Sequence, residues 1–319
     1  MKKYFGIDWL RTIACIGIAL MHIRANCSYE IIGFAYNKFV PSLTDFVYLF
    51  MAISSFGMCC GYYEKVMSGM IDWTDFYKKR YIRILPFFAL LIFIDVIMSF
   101  NVSSLLEGFT EITLLHGFVP QELSVIGVGW YLGTVFIFYL IFPFFCVLIE
   151  KKSRAWCAFG ISLVLHYICA CYFELDRHNF LFSFCYFLIG GLVYLYKDIL
   201  EKIRWYIYLP VLIIVLFIYY ATNTYGMGLF FLVFVLLSFA ISIKRGKNKI
   251  VSFISGISME IYLSHMVMFR VIEKMNLNYI LGNGWGQYIF SSLLVIVGAV
   301  CFSYVIQNLI NRIEKRVIG

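Results

Sequence analysis

Apolar runs of the length that crosses a bilayer, about 17–25 residues, recur along this chain. Ten can be marked, at about 7–25, 42–62, 84–100, 128–149, 155–173, 180–197, 205–221, 226–243, 250–272 and 286–308. Hydrocarbon offers no partner to a backbone N–H or C=O, so only helices and closed barrels persist there. Runs this long and continuous, without the apolar/polar alternation of barrel strands, predict helices. Composition agrees: 62% of the 319 residues are apolar, 14% are charged, and mean hydropathy is +0.87. A soluble domain carries about 25% charged residues, so much of this surface must face lipid. The expectation is an all-α polytopic transmembrane helical bundle of about ten spans, a single domain over residues 1–319. The stretch 101–127 breaks the pattern; its 109–119 portion is too short to span and reads as a re-entrant or interfacial helix.

Basic residues set the orientation. With Met1 inside, 20 of the 26 Lys and Arg fall on the cytoplasmic side, from Lys2 and Lys3 through the 65–83 group, 151–154, 197–204 and 244–249 to Arg312, Lys315 and Arg316. Arg11 lies within the first run, and only Arg24, Lys38, Arg177, Arg270 and Lys274 are left outside. An even number of spans then returns the C-terminus inside, so both termini are expected to be cytoplasmic. The formal charge of +8 sits in the short gaps between spans, which argues against nucleic acid and for membrane lipid as the neighbour. The plasma membrane is the expected location. Asp8 and Arg11 inside the first run, with no small-residue cleavage site after it, mark a retained helix rather than a signal peptide. Nine of the ten Cys lie within apolar runs, where Cys behaves as a small hydrophobe; Cys27 alone is expected outside. Cys169 and Cys171 lack further ligands at metal spacing, so no metal site is expected. No internal repeat and no Gly- or Pro-broken span is evident, with only five Pro in the chain.

Charged side chains in hydrocarbon are expensive and mark function by default. Asp8, Arg11, Cys15, Ile18 and His22 recur at spacings of three and four, one stripe of the first helix facing the bundle interior. Arg11 and His22 stand ~16 Å apart along it, within reach of one ligand lying along the helix. The plainer reading is an Asp8–Arg11 ion pair with His22 as a hydrogen-bonded core residue. In DFYKKRYIRILPFF, residues 75–88, Arg80 and Arg83 lie three apart on one face of a helix start on the inner side. Guanidinium forks suit phosphate; the plainer reading is a topogenic basic loop. Glu260, in mid-membrane, needs a partner or a raised pKa, and Ser264 and His265 are candidates to share a polar pocket with it. Trp130, Tyr131 and Tyr139 read as interfacial or packing residues on composition alone, and His166 and His178 as structural.

Taken together these segments resemble acyltransferase family 3, the integral-membrane acyl-CoA-dependent O-acyltransferases of bacterial surface glycans. FGIDWLRTIACIGIALMH resembles the family's first-helix pattern, carried by Arg11 and His22. KKRYIRILP resembles its Arg-x-x-Arg pattern, carried by Arg80 and Arg83. LLHGF, GVGWYLG and FYLIFP resemble the fourth-span region, and SMEIYLSH the late Ser-x-x-x-Tyr-Leu-x-His segment.

The resemblance implies a reaction and roles. Acetyl-CoA or another acyl-CoA is the donor substrate, presented from the cytoplasm, and no permanently bound cofactor is implied. Arg80 and Arg83, with help from Arg11, are expected to hold the CoA phosphates. His22 acts as general base or transient acyl carrier, with Arg11 and Glu260 in the catalytic set. His116, Trp130, Tyr139, Tyr262 and His265 are expected to contact substrate, and the acceptor is a hydroxyl of a cell-surface glycan or lipid-linked sugar. One position departs from the family: Val135 stands where many members carry a Glu. Either that acid is dispensable, or Glu260 supplies its charge, or activity is altered. The alternative function is a transporter or flippase of a lipid-linked sugar, in which the intramembrane charges form a substrate or proton path.

Overall fold

A computed structural model describes residues 3–98, 100–118, 125–221, 227–244 and 246–317. Lys2 and Arg245 of the predicted cytoplasmic set lie outside the described residues, as do the side chains of Lys315 and Arg316. All regular structure among the described residues is helical. In chain order the helices are α1 Phe5–Asn26, α2 Ala35–Met67, α3 Trp73–Met98, α4 Val102–Ile112, α5 Trp130–Ile149 and α6 Lys152–Cys171. They continue with α7 Phe180–Leu195, α8 Trp205–Ala221, α9 Gly228–Ser242, α10 Lys249–Gly256, α11 Ser258–Lys274 and α12 Trp285–Val317.

Six of these helices are long and apolar enough to cross a membrane, and a seventh crossing results if α10 and α11 count as one. The remaining predicted runs form three shorter apolar helices, α7, α8 and α9. By length, then, the expected ten spans become six or seven crossings and three short helices. Large apolar side chains stay exposed on the outside of the bundle, among them Ile213 and Phe217 on α8 and Leu293 and Val297 on α12. Such a surface is stable only against lipid.

Three local expectations change. The segment 75–88 is not a loop; it is the first half of α3, which starts at Trp73 and carries Pro86 inside it. The short helix of the 101–127 stretch is α4, capped by Asn101, whose side chain accepts from the Ser104 N–H at 2.8 Å. The third change is the largest. The predicted span 250–272 is broken at Gly256–Ile257, and α10 and α11 meet at 73°. A break at membrane depth is tolerated where other groups take up the freed backbone. Here an Arg83 N–H donates to the Gly256 carbonyl (3.0 Å), and the Ser258 hydroxyl donates to the Ser255 carbonyl (3.0 Å).

At the centre, α1 packs on α2, α9, α10, α11 and α12. Close approach of neighbours relies on small residues: a Cβ added at Gly190 on α7 would lie 2.2 Å from the Ala52 carbonyl oxygen on α2. The core between these helices is largely aromatic, with Phe136, Phe138, Phe142, Phe145 and Phe187 buried together. All ten cysteines are free. Cys27, outside the apolar runs, caps the C-terminal end of α1 and is buried beside Ile23 and Tyr29.

Candidate functional site

The polar stripe of α1 meets the broken helix turn by turn. Asp8 accepts from Ser252 Oγ (2.9 Å) and Ser255 Oγ (3.1 Å), and its ion pair is with Lys3 (3.3 Å). Thr12 donates to the Val251 carbonyl and the Cys15 thiol to the Ser258 carbonyl. One turn before the end of α1, His22 faces His265 of α11. The seam explains the period of three and four in the first helix: each polar group satisfies one on α10 or α11.

Arg11 is the exception. It makes no ion pair with Asp8, and no ion pair or hydrogen bond to it occurs among the described residues. Its guanidinium lines a cavity of about 310 Å³ that reaches the Lys3 end of the bundle, between α1, α2, α3, α5, α10 and α11. Tyr131, Tyr139, Ser54 and Val135 line it too. Asp8 lines the cavity as well and attracts the Arg11 cation without touching it; a guanidinium with no direct partner at this depth is costly and has donors free for an anion. Arg83 also lines it, half-exposed, and is anchored from behind by Glu260 (2.9 Å). Arg80 goes elsewhere despite its i, i+3 spacing. Its guanidinium carbon lies 4.5 Å from the Tyr62 ring centre, 4.9 Å from Phe76 and 5.6 Å from Tyr139, an aromatic cage that shares Tyr139 with the cavity while Arg80 itself does not line it.

Phe50, Tyr131 and Tyr262 close the far end of this cavity. Their ring centres are 5.5–6.4 Å apart, mostly edge to face. Behind them lies a second cavity, about 170 Å³, lined by His22, Val125–Val128, Leu263, Met266, Val267 and Arg270. The partition is one side chain thick: the ring of Tyr262 lines the first cavity, and its hydroxyl donates to the carbonyl of Val128 in the wall of the second (2.9 Å).

Hydrogen bonds assign the tautomers of the histidine pair. His265 Nδ1 lies 2.6 Å from the Tyr262 carbonyl oxygen, which only accepts, so Nδ1 carries the proton and Nε2 of the neutral ring is an acceptor. His22 Nδ1 lies 3.1 Å from that Nε2 and 3.0 Å from the Ile18 carbonyl oxygen. Facing two acceptors, His22 Nδ1 must be the donor, which leaves Nε2 of His22 with a free lone pair.

The remaining expected residues fall into two groups. Tyr139 and Tyr262 line the first cavity. His116 and Trp130 line neither of the two. His116 is buried with Nε2 3.1 Å from the Gly129 carbonyl, and its ring presses on Gly133, where a Cβ would lie 2.6 Å from it. Burial lowers the His116 pKa against the opposing Gly129 and Glu111 carbonyls, so it is a neutral brace. Trp130 stacks under Arg177 (5.4 Å) and beside His178 (4.8 Å). The pocket expected to join Glu260, Ser264 and His265 is not formed: Glu260 pairs with Arg83, Ser264 with Ser303, and His265 with His22. His166 bonds the Phe182 carbonyl and His178 bonds Asp176, both structural as expected.

Sequence reasoning missed Glu111. It is buried in α4 and accepts the Ile126 N–H (3.3 Å), holding the loop that walls the His22 cavity. The available signal was its place four residues after Glu107 on α4, beside the apolar Phe109 and Ile112. No group of three or more metal-ligating side chains occurs among the described residues.

A family model described as an acyltransferase domain, that of acyltransferase family 3, matches residues 4–306. No curated protein and no solved structure matches the chain.

Proposed function

The chain belongs to acyltransferase family 3, and from that premise we propose that it is a membrane O-acetyltransferase working across the bilayer, with acetyl-CoA as donor and a cell-surface glycan as acceptor. In this reading α7, α8 and α9 complete ten crossings of the plasma membrane, and both termini are cytoplasmic. The observation that carries it is the pair of cavities back to back along α1, one holding Arg11 with no direct partner and the other holding His22.

The CoA phosphates dock at the cytoplasmic mouth against Lys3, Arg11 and Arg83, with Glu260 holding the Arg83 fork in place. Arg80, caged by rings, keeps α3 seated on α2 and α5. The pantetheine arm occupies the 310 Å³ cavity, and the thioester passes the Tyr262 ring to reach His22. As base, His22 Nε2 takes the proton from an acceptor hydroxyl as its oxygen attacks the thioester carbonyl. The C–S bond then breaks and the imidazolium returns the proton to the departing thiolate. As acyl carrier, Nε2 attacks first and the hydroxyl follows. In either course the Nδ1 proton stays on the side of His265, which with the Tyr262 carbonyl keeps the lone pair on Nε2. Val135 adds no second acid beside Asp8 in the donor cavity lining, which suits a site that holds an anion on Lys3, Arg11 and Arg83.

The test is radiolabelled acetyl-CoA supplied to nanodiscs holding the wild type, with free CoA and labelled glycan as readouts. Turnover that requires both donor and glycan supports the proposal. A second reading, a lipid-linked sugar transporter, draws on the broken α10–α11 crossing, a feature of transporters. Movement of the sugar without release of CoA would favour it and overturn acyl transfer.

A further inference from the structure

On the face opposite the N-terminus, a cleft of about 640 Å³ lies between the end of α3, the start of α4 and the last turns of α11. It shares Val125, Val267 and Arg270 with the His22 cavity, so the two volumes adjoin. Their linings differ. The His22 cavity is mostly apolar and, at about 170 Å³, takes only the end of a ligand. The cleft is in the size range of small-molecule sites and carries Asp95, Ser103, Glu107, Arg270, Glu273 and Lys274. Arg270 pairs with Asp95 at 2.5 Å where the two volumes meet, and Ser103 donates to Glu107 at 2.9 Å.

This chemistry selects a ligand class. Three carboxylates and two cations, spread over α3, α4 and α11 around the cleft, offer both acceptors and donors, which hydroxyl groups satisfy. The same three carboxylates repel a polyanion. Beside the cleft, α4 exposes Leu105, Leu106 and Phe109, an apolar rim that sets the cleft at the level of the lipid head groups. We propose that this cleft is the acceptor groove. It holds an uncharged or zwitterionic carbohydrate chain at the membrane surface, with Arg270 positioning the ring whose hydroxyl enters the His22 cavity. The proposal rests on the acyl-transfer reading for the word acceptor, whereas carbohydrate binding can be measured without it.

The probe is a set of short oligosaccharides released by mild acid from the surface polysaccharide of the source cell, titrated onto the full chain in nanodiscs. Val271→Trp fills the cleft from a position outside the His22 cavity lining, and Asp95→Asn breaks the ion pair at constant size; both are first checked for a wild-type elution profile. We expect Val271→Trp to weaken oligosaccharide binding about tenfold or more, and Asp95→Asn less. In the acetyl-transfer assay the acceptor KM rises in parallel while the acetyl-CoA KM moves less than about twofold. Wild type that binds none of the oligosaccharides, or both variants binding as wild type does, overturns the groove. Binding that is lost in Val271→Trp, with no label ever transferred from acetyl-CoA, keeps the groove and sinks acyl transfer. Transfer with an unchanged acceptor KM in both variants does the reverse.

Discussion

The two cavities along α1 solve opposite problems. The one at the Lys3 end is the larger, carries Arg11 with no direct partner beside Asp8, and holds Arg83 from behind with Glu260. The His22 cavity has about half its volume, and its histidine pair is joined through the Nδ1 proton of His22. Fixed charge in the first suits recognition of an anion; a fixed tautomer in the second suits proton or acyl transfer. The difference teaches that, in the proposed reading, binding and chemistry lie on opposite sides of one ring, Tyr262, rather than in a single pocket.

If the separation holds, His22→Ala should lower turnover by about 10²–10⁴-fold and leave acetyl-CoA binding nearly intact, measured by equilibrium binding beside single-turnover kinetics. Loss of binding in step with turnover would merge the two sites. Arg11→Ala should do the converse, raising the acetyl-CoA KM by about 10–100-fold, the scale of a lost charged contact of about 1.5–3 kcal/mol. Arg11→Lys should recover only part, since the planar fork is missing. An Arg11→Ala enzyme with normal donor KM and reduced kcat would move Arg11 into the chemistry.

A smaller effect is expected at His265, which touches His22 and not the reacting atoms. His265→Ala lets His22 turn its proton to the wrong nitrogen, and a fall in kcat of about tenfold is expected, on the scale of orienting groups behind a functional histidine. His265→Gln, whose amide oxygen can accept from His22 Nδ1, should restore part of it. A merely structural His265 would show no such rescue.

How far this was legible in the sequence depends on distance along the chain. The apolar runs, the helical class and the α1 stripe are local patterns, and reading them required only period and length. The break at Gly256 was masked: Ser-Gly is a turn signal, but it sits inside a run long enough to read as one span, and the group that satisfies the freed carbonyl, Arg83, lies 173 positions away. His22 and His265 meet across 243 positions, so their pairing needed the packing of α1 on α11. Arg80 and Arg83 mark a further limit. Spacing placed both on one face of α3, but Tyr62, Phe76 and Tyr139 draw Arg80 into a cage while Gly256 and Glu260 draw Arg83 to the cavity. Phe76 lies on α3 itself, four residues before Arg80, but the other rings and the acceptors come from other helices, and no local pattern announces them.

The smallest expected effect concerns the wall of the His22 cavity and sharpens the contrast between the two sites. Burial, reinforced by the charges of Glu107 and Asp95 and opposed by the Ile126 N–H, lifts the Glu111 pKa from 4.5 to about 8. The fold therefore holds a proton on Glu111 that the unfolded chain releases at about pH 4.5. Stability from this group is fully present below that pH and is lost as pH rises through about 8. Glu111→Gln keeps an amide oxygen for the Ile126 N–H and removes the titration. Thermal unfolding in nanodiscs should show wild type losing stability across that window while Glu111→Gln stays flatter. Turnover at neutral pH should change only about twofold, because Glu111 acts on the loop and not on His22. Donor binding should not follow the titration, since Ile126 walls the His22 cavity and not the Arg11 cavity. Equal pH slopes in both proteins would remove Glu111 as the brace of that wall, and a donor KM that tracks the same titration would show that the Tyr262 partition does not insulate one cavity from the other.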